Sequence, residues 1–271
     1  MRIFRCHIIS KMCCILTLLF ICTIKIGNAL PRKNAEILHG KVVDITDHPY
    51  QVALLNTKAN KIICGGVIVK PKVVFTAAHC THTRNLVPRK NLAVLVGANH
   101  VDDYEGNLHH IAKVIKHPDF SYHGLESDIS ILLLEEPIKF SEKAKSIPIS
   151  TDDHPGGTKA SVSGWGRTET GFQSRDLRAV KVELDDHHNC QRYFPGVFHP
   201  TITRDMVCIR PHHKSTYYGD SGGPLTVDGK LVGLVSFGRS LKPNKKTTVF
   251  TKVGNFLDFV NEVVPEEYQE E

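Results

Sequence analysis

The strongest constraint on the fold is a series of short apolar runs that are separated by turn-forming residues. The runs are rich in Val, Ile, Leu and Phe, and they lie at 48–55, 62–69, 73–79, 231–237 and 247–253. Gly, Pro, Asn and Asp occur between them, whereas long stretches with helical periodicity are scarce. Short runs bounded by turn residues are typical of β-strands, so the pattern predicts a mostly β protein.

Two segments of the chain depart from this strand pattern. Residues 256–264 carry apolar side chains at helical spacing, which predicts a short amphipathic helix near the C terminus. Residues 176–192 are rich in charged side chains and are predicted to form a surface segment.

The N-terminal segment has the composition of a secretory signal peptide. Three basic residues precede the apolar stretch 12–23, and small residues follow it. Residues 1–29 are therefore predicted to direct the chain out of the cell, as a secreted, extracellular protein. A membrane anchor is the alternative, but the apolar stretch is too short to span a bilayer comfortably, so no membrane association is expected.

The cysteines fit an exported protein. Of the 8 cysteines, four lie in the signal segment, and Cys64, Cys80, Cys190 and Cys208 remain after it is removed. An even number of cysteines in an exported chain predicts two disulfides, and the spacing alone leaves three pairings open. A zinc site is not expected, because no two of these cysteines form a C-x-x-C unit.

The net charge gives little support for nucleic-acid binding. The whole chain has a formal charge of +6, from 34 basic and 28 acidic residues. Residues 1–36 hold six of the basic and one of the acidic residues, so 28 basic against 27 acidic residues remain. A large basic surface is not indicated, and no nucleic-acid partner is expected.

The chemistry-bearing stretch is 219–224, with the sequence Gly-Asp-Ser-Gly-Gly-Pro. A serine hydroxyl is a weak nucleophile, so it needs a base to take its proton and donors to stabilise an oxyanion. The glycines around Ser221 allow a sharp turn that aims backbone N–H groups inward. A plain turn is the alternative, but His79 ends an apolar run and Asp128 begins another.

The order of these three residues along the chain separates two catalytic architectures. Gly219-x-Ser221-x-Gly223 also fits the nucleophile elbow of the α/β-hydrolases. That fold requires the order Ser, Asp or Glu, then His. No histidine follows Ser221 in this chain, so the order His, Asp, Ser excludes the elbow.

Five motifs together resemble the trypsin/chymotrypsin family of serine endopeptidases. They lie at 76–80, 128–132, 163–166, 219–224 and 235–238. The resemblance extends from about residue 37 to about residue 264. It implies an all-β fold of two packed six-stranded antiparallel Greek-key barrels with a C-terminal helix, which is the chymotrypsin-like fold. The peptidase domain would be 37–271, with barrels at roughly 37–145 and 146–255.

The resemblance also implies a role for each chemical group. Ser221 would attack a peptide carbonyl, His79 would take and return its proton, and Asp128 would orient the imidazole. The backbone N–H groups of Gly219 and Ser221 would hold the oxyanion. The partners are then protein or peptide substrates, and no cofactor is expected.

By the same resemblance, the substrate pocket has Ser215 at its base. Gly238 leaves one wall open, and Thr248 makes the pocket shallower. Ser236, Phe237 and Gly238 would pair with the substrate backbone as an added strand. Because Ser215 carries no charge, we expect an uncharged apolar side chain at P1, the residue before the cleaved bond. Leu, Met or Phe should be preferred over smaller aliphatic side chains.

Activation would follow cleavage before Ile37, after a short propeptide at 30–36. The new ammonium group would be buried against Asp220, which makes the ion pair a switch for the adjacent oxyanion hole. The chain departs from the family here, because Glu36 stands where Arg or Lys is usual. An activating protease would therefore cut after acidic residues, or a trimming step would follow a cut further upstream. A precursor that is never activated is the alternative.

The resemblance selects the disulfides Cys64–Cys80 and Cys190–Cys208. It also argues against bound calcium, because Ala98 and Leu108 fill the two expected ligand positions. No metal is expected elsewhere, and the chain is expected to be a monomer. The alternative function is that of a non-catalytic homologue, a secreted binding or cofactor protein, but the three catalytic residue types are all retained.

Overall fold

The computed structural model describes residues 40–82, 87–103, 107–167, 172–196, 200–213, 216, 219–241 and 245–268. The chain divides into two units, Met1–Asn34 and Ala35–Glu271, and the described residues all belong to the second. The strands are β1 (Lys41–Val42), β2 (Gln51–Asn56), β3 (Lys61–Lys70), β4 (Val73–Thr76), β5 (Leu92–Val96), β6 (Leu108–Lys116), β7 (Ser130–Leu134), β8 (Lys159–Gly164), β9 (Arg178–Glu183), β10 (Met206–Cys208), β11 (Pro224–Val227), β12 (Lys230–Leu241) and β13 (Lys245–Lys252). The α-helices are α1 (Ala78–Thr81), α2 (His187–Tyr193) and α3 (Leu257–Val263).

The first sheet is a closed antiparallel barrel with the strand order β2-β3-β4-β7-β6-β5. Strand β2 explains why its sequence is apolar at consecutive positions rather than at alternate ones. Val52 and Leu54 point into the barrel core, whereas Ala53 and Leu55 pack on the other face against a cluster that contains Trp165. A strand that is covered on both faces needs apolar side chains on both.

The second sheet has seven strands in the order β1-β9-β8-β11-β12-β13-β10. The ends of β9 and β10 meet, because Asp185 N donates to Cys208 O at 2.9 Å and Arg210 N donates to Glu183 O at 2.8 Å. The short β1 pairs with the start of β9 and is the seventh strand. The chymotrypsin-like fold is therefore confirmed, with an extra strand on the second sheet.

Three segments of the chain test the secondary structure that was predicted from the sequence. The helix expected at 256–264 is present as α3, preceded by a 3₁₀ turn. The run 73–79 is a strand only as far as Thr76, and His79 lies on a helical turn. The prediction of a surface segment at 176–192 was wrong for β9, because its alternating Val180 and Val182 are buried in the core of the second sheet.

Among the described residues, no helix has the length and apolar character needed to cross a membrane.

The two sheets contact each other through a shared apolar cluster, which joins side chains of β3, β4 and β7 to side chains of β12, and through small residues and buried polar groups. Ser163 Oγ on β8 donates to Gln51 Oε1 on β2 at 2.7 Å, and both residues are buried. Gly65 N on β3 donates to Ser221 O at 2.7 Å. A Cβ added at Gly65 would lie 2.9 Å from Gly223 Cα, so the backbones approach as closely as glycine allows.

This close approach predicts that Gly65→Ala destabilises the protein. The added methyl group would meet backbone atoms of Gly223 that cannot move aside independently, and overpacking of this kind costs about 1–3 kcal/mol. The free energy of unfolding, measured with denaturant, should fall by that amount. Gly124→Ala is the matched control, because the atoms nearest to its added Cβ would belong to the flexible side chain of Glu126, the first at 3.2 Å. Equal stability of the two variants would contradict the tight contact.

Candidate active site

His79 and Asp128 form a hydrogen-bonded pair between two elements of the first barrel. Helix α1 follows β4 directly, and its first turn holds His79 with Nδ1 2.7 Å from Asp128 Oδ2. The backbone N–H of His79 donates to Asp128 Oδ1 at 2.8 Å, so both carboxylate oxygens hold the same residue. When Nδ1–H donates to the carboxylate, Nε2 is the basic nitrogen of the ring.

The carboxylate of Asp128 is fully buried, with 0% of the residue exposed. A buried carboxylate is costly unless donors surround it. The second sheet supplies the next donor, because Ser236 Oγ on β12 donates to Asp128 Oδ2 at 2.5 Å. Thr251 Oγ1 on β13 donates to the main-chain oxygen of Asp128 at 3.0 Å. The aspartate therefore depends on both sheets for its position.

The turn that leads into Asp128 is strained. Leu125 and Ser127 have φ angles of 51° and 49°, in the left-handed region that side chains with a Cβ rarely adopt. The turn is held by hydrogen bonds, in which Ser121 N donates to Glu126 O at 3.2 Å and Ile129 N donates to Ser127 O at 2.8 Å. Strain of this type persists only where the surrounding structure compensates for it, which is typical of functional sites.

The loop that carries Ser221 is docked tightly beside the His79–Asp128 pair. Gly219 and Gly222 have φ angles of 99° and 75°, which explains the need for glycine at both positions. Gly222 N donates to Val235 O at 2.7 Å, one residue before Ser236. A Cβ on Gly222 would overlap Thr76 Oγ1, three residues before His79. The loop thus contacts both segments that lead to the pair.

Asp220 lies in a buried pocket lined by glycine backbone. The residue is 1% exposed, and its Oδ1 accepts a hydrogen bond from Gly166 N at 2.8 Å. A Cβ added at Gly164 would lie 2.5 Å from the same oxygen. Ile37, the expected partner of Asp220, lies outside the described residues.

The predicted substrate-binding residues of β12 and β13 lie on facing strands. Gly238 is exposed and is the cross-strand partner of Thr248, which is 1% exposed. Thr248 Oγ1 lies 2.8 Å from Thr216 Oγ1, and Thr216 is 9% exposed. Ser215, the predicted pocket base, lies outside the described residues. Thr216 was missed from the sequence, where its only signal is its place beside Ser215.

The part of β12 that follows Ser236 contacts α2 and the residue after α2. Phe237 packs edge-on against Phe194 with ring centroids 5.4 Å apart. Arg239 Nη1 donates to Tyr193 O at 2.5 Å. The Tyr193 hydroxyl donates to Asp185 Oδ2 at 2.7 Å. Burial and that hydrogen bond raise the pKa of Tyr193 to about 12, so this phenol is neutral at physiological pH.

The disulfides pair Cys64 with Cys80 and Cys190 with Cys208, as the resemblance implies. The first joins β3 to α1 directly after His79, and the second joins α2 to β10. Ligand atoms of Cys64, His79 and Cys80 lie within 4.8 Å of one another. The sulfur atoms of Cys64 and Cys80 are joined in the first disulfide, so the two cysteines do not provide thiolate ligands for a metal.

The comparisons with known proteins agree on one family. The family model described as Trypsin matches residues 37–260. Trypsin of Phaedon cochleariae is 31% identical over 235 residues, which cover 84% of this chain and 88% of that protein. Trypsin of Sus scrofa is 30% identical over 235 residues, which cover 84% of this chain and 96% of that protein. The solved structure of neuropsin, a serine protease expressed in the limbic system of mouse brain, matches with a TM-score of 0.72 at 28% identity and covers 83% of this chain and 98% of that chain.

The buried hydroxyl of Ser236 predicts a measurable loss of stability in Ser236→Ala. The substitution removes a donor to a buried carboxylate, and a hydrogen bond to a charged group contributes about 1.5–3 kcal/mol. The free energy of unfolding should fall by about that amount. Ser240→Ala is the control, because Ser240 lies exposed on the same strand. If both variants unfold like the unmodified protein, Ser236 does not stabilise Asp128.

Proposed function

The chain belongs to the trypsin family of serine proteases, and we propose that it hydrolyses peptide bonds through Ser221, His79 and Asp128. The observation that carries the proposal is the 2.7 Å contact between His79 Nδ1 and a fully buried Asp128 carboxylate. An imidazole held in this way keeps Nε2 as its base. The docking of the Ser221 loop against Thr76 and Val235 supports its role as the nucleophile.

The reaction then proceeds in two steps through an acyl-enzyme. Ser221 Oγ attacks the substrate carbonyl carbon while its proton passes to His79 Nε2, and the Asp128 carboxylate stabilises the imidazolium. The N–H groups of Gly219 and Ser221 donate to the carbonyl oxygen as it becomes negative. His79 returns the proton to the leaving amine. Water repeats the sequence and releases the acid.

An extended substrate would add to the sheet beside β12. Strand β11 accompanies β12 only as far as Leu234, so the edge that begins at Ser236 has no strand partner from β11. Gly238 is exposed on this edge and offers backbone groups without a side chain in the way. A substrate that binds as an added strand gains affinity from main-chain hydrogen bonds, and this affinity depends little on most of its side chains. Selectivity then comes from the P1 pocket, for which we propose an uncharged, apolar substrate residue.

We also propose that the protein is secreted as a zymogen and acts as a monomer. Residues 1–29 would be the signal, 30–36 the propeptide, and Ile37 the start of the active chain. The buried carboxylate of Asp220 supports this order, because an ammonium group beside it would offset the cost of burial. The activating protease would cut after Glu36, or a second enzyme would trim to Ile37.

The proposal predicts which forms react with an active-site fluorophosphonate. Protein that starts at Ile37 should be labelled at Ser221, as located by mass spectrometry. Precursor that starts at Leu30 should react about a hundredfold more slowly, because an unformed oxyanion hole costs at least that factor. Ser221→Ala should not react, and Ser240→Ala should react like the unmodified protein.

Two results would overturn parts of the proposal. If no folded form reacts, the chain is a non-catalytic homologue that acts as a binding or cofactor protein. If the precursor and the Ile37 form react equally fast, the nucleophile stands but the zymogen switch through Asp220 does not.

A further inference from the structure

We propose that Thr81 and Ser130 are positioning residues for His79, because their paired hydroxyl groups attach α1 to β7 beside the contact between His79 and Asp128. The inference rests on the proposed function and adds two residues to the account of that site. Both residues act through the orientation of His79 rather than through contact with the substrate.

Helix α1 cannot fix its own orientation, because it has only four residues. A single helical turn is not stable by itself, since nucleation costs more than its hydrogen bonds return. The orientation of α1 therefore depends on its attachments to neighbouring strands. The disulfide between Cys64 and Cys80 attaches it to β3. The two hydrogen bonds between His79 and Asp128 attach it to the segment that leads into β7.

The segment that carries His79 begins and ends beside one residue of β7. At the end of β4, Thr76 is the cross-strand partner of Ser130. At the end of α1, Thr81 Oγ1 lies 2.9 Å from Ser130 Oγ. Ser130 is 0% exposed, so it is a fixed attachment point for both ends of the segment. The two contacts close residues 76–81 into a loop on β7 that contains His79.

The two hydroxyl groups have two protons for three contacts. Thr81 Oγ1 lies 3.1 Å from Ala78 O, to which it can donate. Ser130 Oγ lies 3.3 Å from Ile115 O, to which it can donate. The contact between the hydroxyl groups is the shortest of the three, and two oxygens at that distance without a proton between them would repel each other. One hydroxyl therefore donates to the other, and the second donates to a carbonyl oxygen.

This hydrogen bond adds an attachment two residues beyond the His79–Asp128 contact on both elements. Ala78, whose oxygen lies beside the Thr81 hydroxyl, directly precedes His79. If the end of α1 tilted away from Ser130, the 2.7 Å contact between His79 Nδ1 and Asp128 Oδ2 would lengthen. Catalysis is sensitive to such a change, because a displacement of about 1 Å can cost on the order of a hundredfold in rate.

The first test removes one hydroxyl group from the chain that starts at Ile37. Thr81→Val keeps the volume of the side chain and loses the hydrogen bond to Ser130. On a peptide that the unmodified protein cleaves, kcat should fall by about three- to tenfold, the factor that corresponds to one neutral hydrogen bond. KM should stay the same, because substrate contacts are unaltered. Fluorophosphonate titration gives the concentration of reactive enzyme.

Two matched variants control for the loss of a threonine hydroxyl. Thr81→Ser restores the hydroxyl group and should restore kcat. Thr57→Val removes a hydroxyl that donates to Asn91 O at 3.1 Å, at the exposed turn after β2 in the same barrel. It should leave kcat and KM unchanged. A loss of kcat in Thr57→Val equal to that in Thr81→Val would contradict a specific role for Thr81.

A double-mutant cycle tests whether the two hydroxyl groups act together. Ser130→Ala should lower kcat by a factor similar to that of Thr81→Val. The double variant should lose no more than the larger single loss, because both substitutions remove the same hydrogen bond. If the two losses multiply in the double variant, the residues act separately and the inference is wrong.

A second readout follows the position of His79 without any turnover. The proton between His79 Nδ1 and Asp128 should give a low-field NMR signal, since charge-assisted hydrogen bonds are short and strong. This signal should shift in Thr81→Val and return in Thr81→Ser. A role in stability alone would lower the free energy of unfolding of Thr81→Val but leave the signal and kcat unchanged. That result would overturn the inference.

The two readouts distinguish the inference from the function on which it rests. If the folded protein reacts with fluorophosphonate and kcat of Thr81→Val equals that of the unmodified protein, the protease activity stands and the inference is wrong. If the folded protein does not react, the proposed protease activity fails, and the NMR signal decides the inference by itself. A shift of the signal in Thr81→Val then supports the positioning of His79, and an unchanged signal contradicts it.

Discussion

The arrangement depends most on one interaction, the burial of the Asp128 carboxylate beneath His79. A charge with no exposed surface must be surrounded by donors, and no single element of this chain supplies them all. His79 comes from α1 in the first barrel, whereas Ser236 comes from β12 in the second sheet. Forming the site therefore requires both sheets to be folded and packed together. The strained turn at Leu125 and Ser127 is consistent with a residue whose position is fixed by such contacts.

Close backbone approach at the interface between the two sheets fixes the position of the loop that carries Ser221. Gly65 N holds Ser221 O, and the lack of a side chain at Gly65 lets the loop come within contact of β3. Gly222 serves the same purpose on the side of Thr76, which leads to His79. Atoms packed this densely have little freedom to relax. A single methyl group added at the interface between the sheets therefore affects both the stability of the protein and the geometry of the site. Glycine is required here for space as well as for backbone angle.

The sequence predicted most of the strands and the family, and it drew attention to His79, Asp128 and Ser221 as candidate catalytic residues, because these are local signals. Each of these three residues lies next to an apolar run or a glycine-rich turn. The short apolar runs that indicate β-strands recur throughout the sequence. Strand β9 was missed because its charged residues masked the alternation of Val180 and Val182. The helical turn at His79 was missed because the preceding apolar run looks continuous. The contact of Thr216 with Thr248 could not be predicted, because it joins residues 32 positions apart that only the tertiary fold brings together.

The proposed orientation of His79 by Asp128, which would make His79 the base for Ser221, is tested most directly by the turnover of Asp128→Asn. An amide can donate to Nδ1 and so favours the wrong tautomer, with the proton on Nε2. On a peptide that the unmodified protein cleaves, kcat should fall by about 10⁴-fold with little change in KM. Asp152→Asn, at an exposed aspartate, should leave kcat unchanged. Turnover by folded Asp128→Asn that is close to that of the unmodified protein would contradict the account.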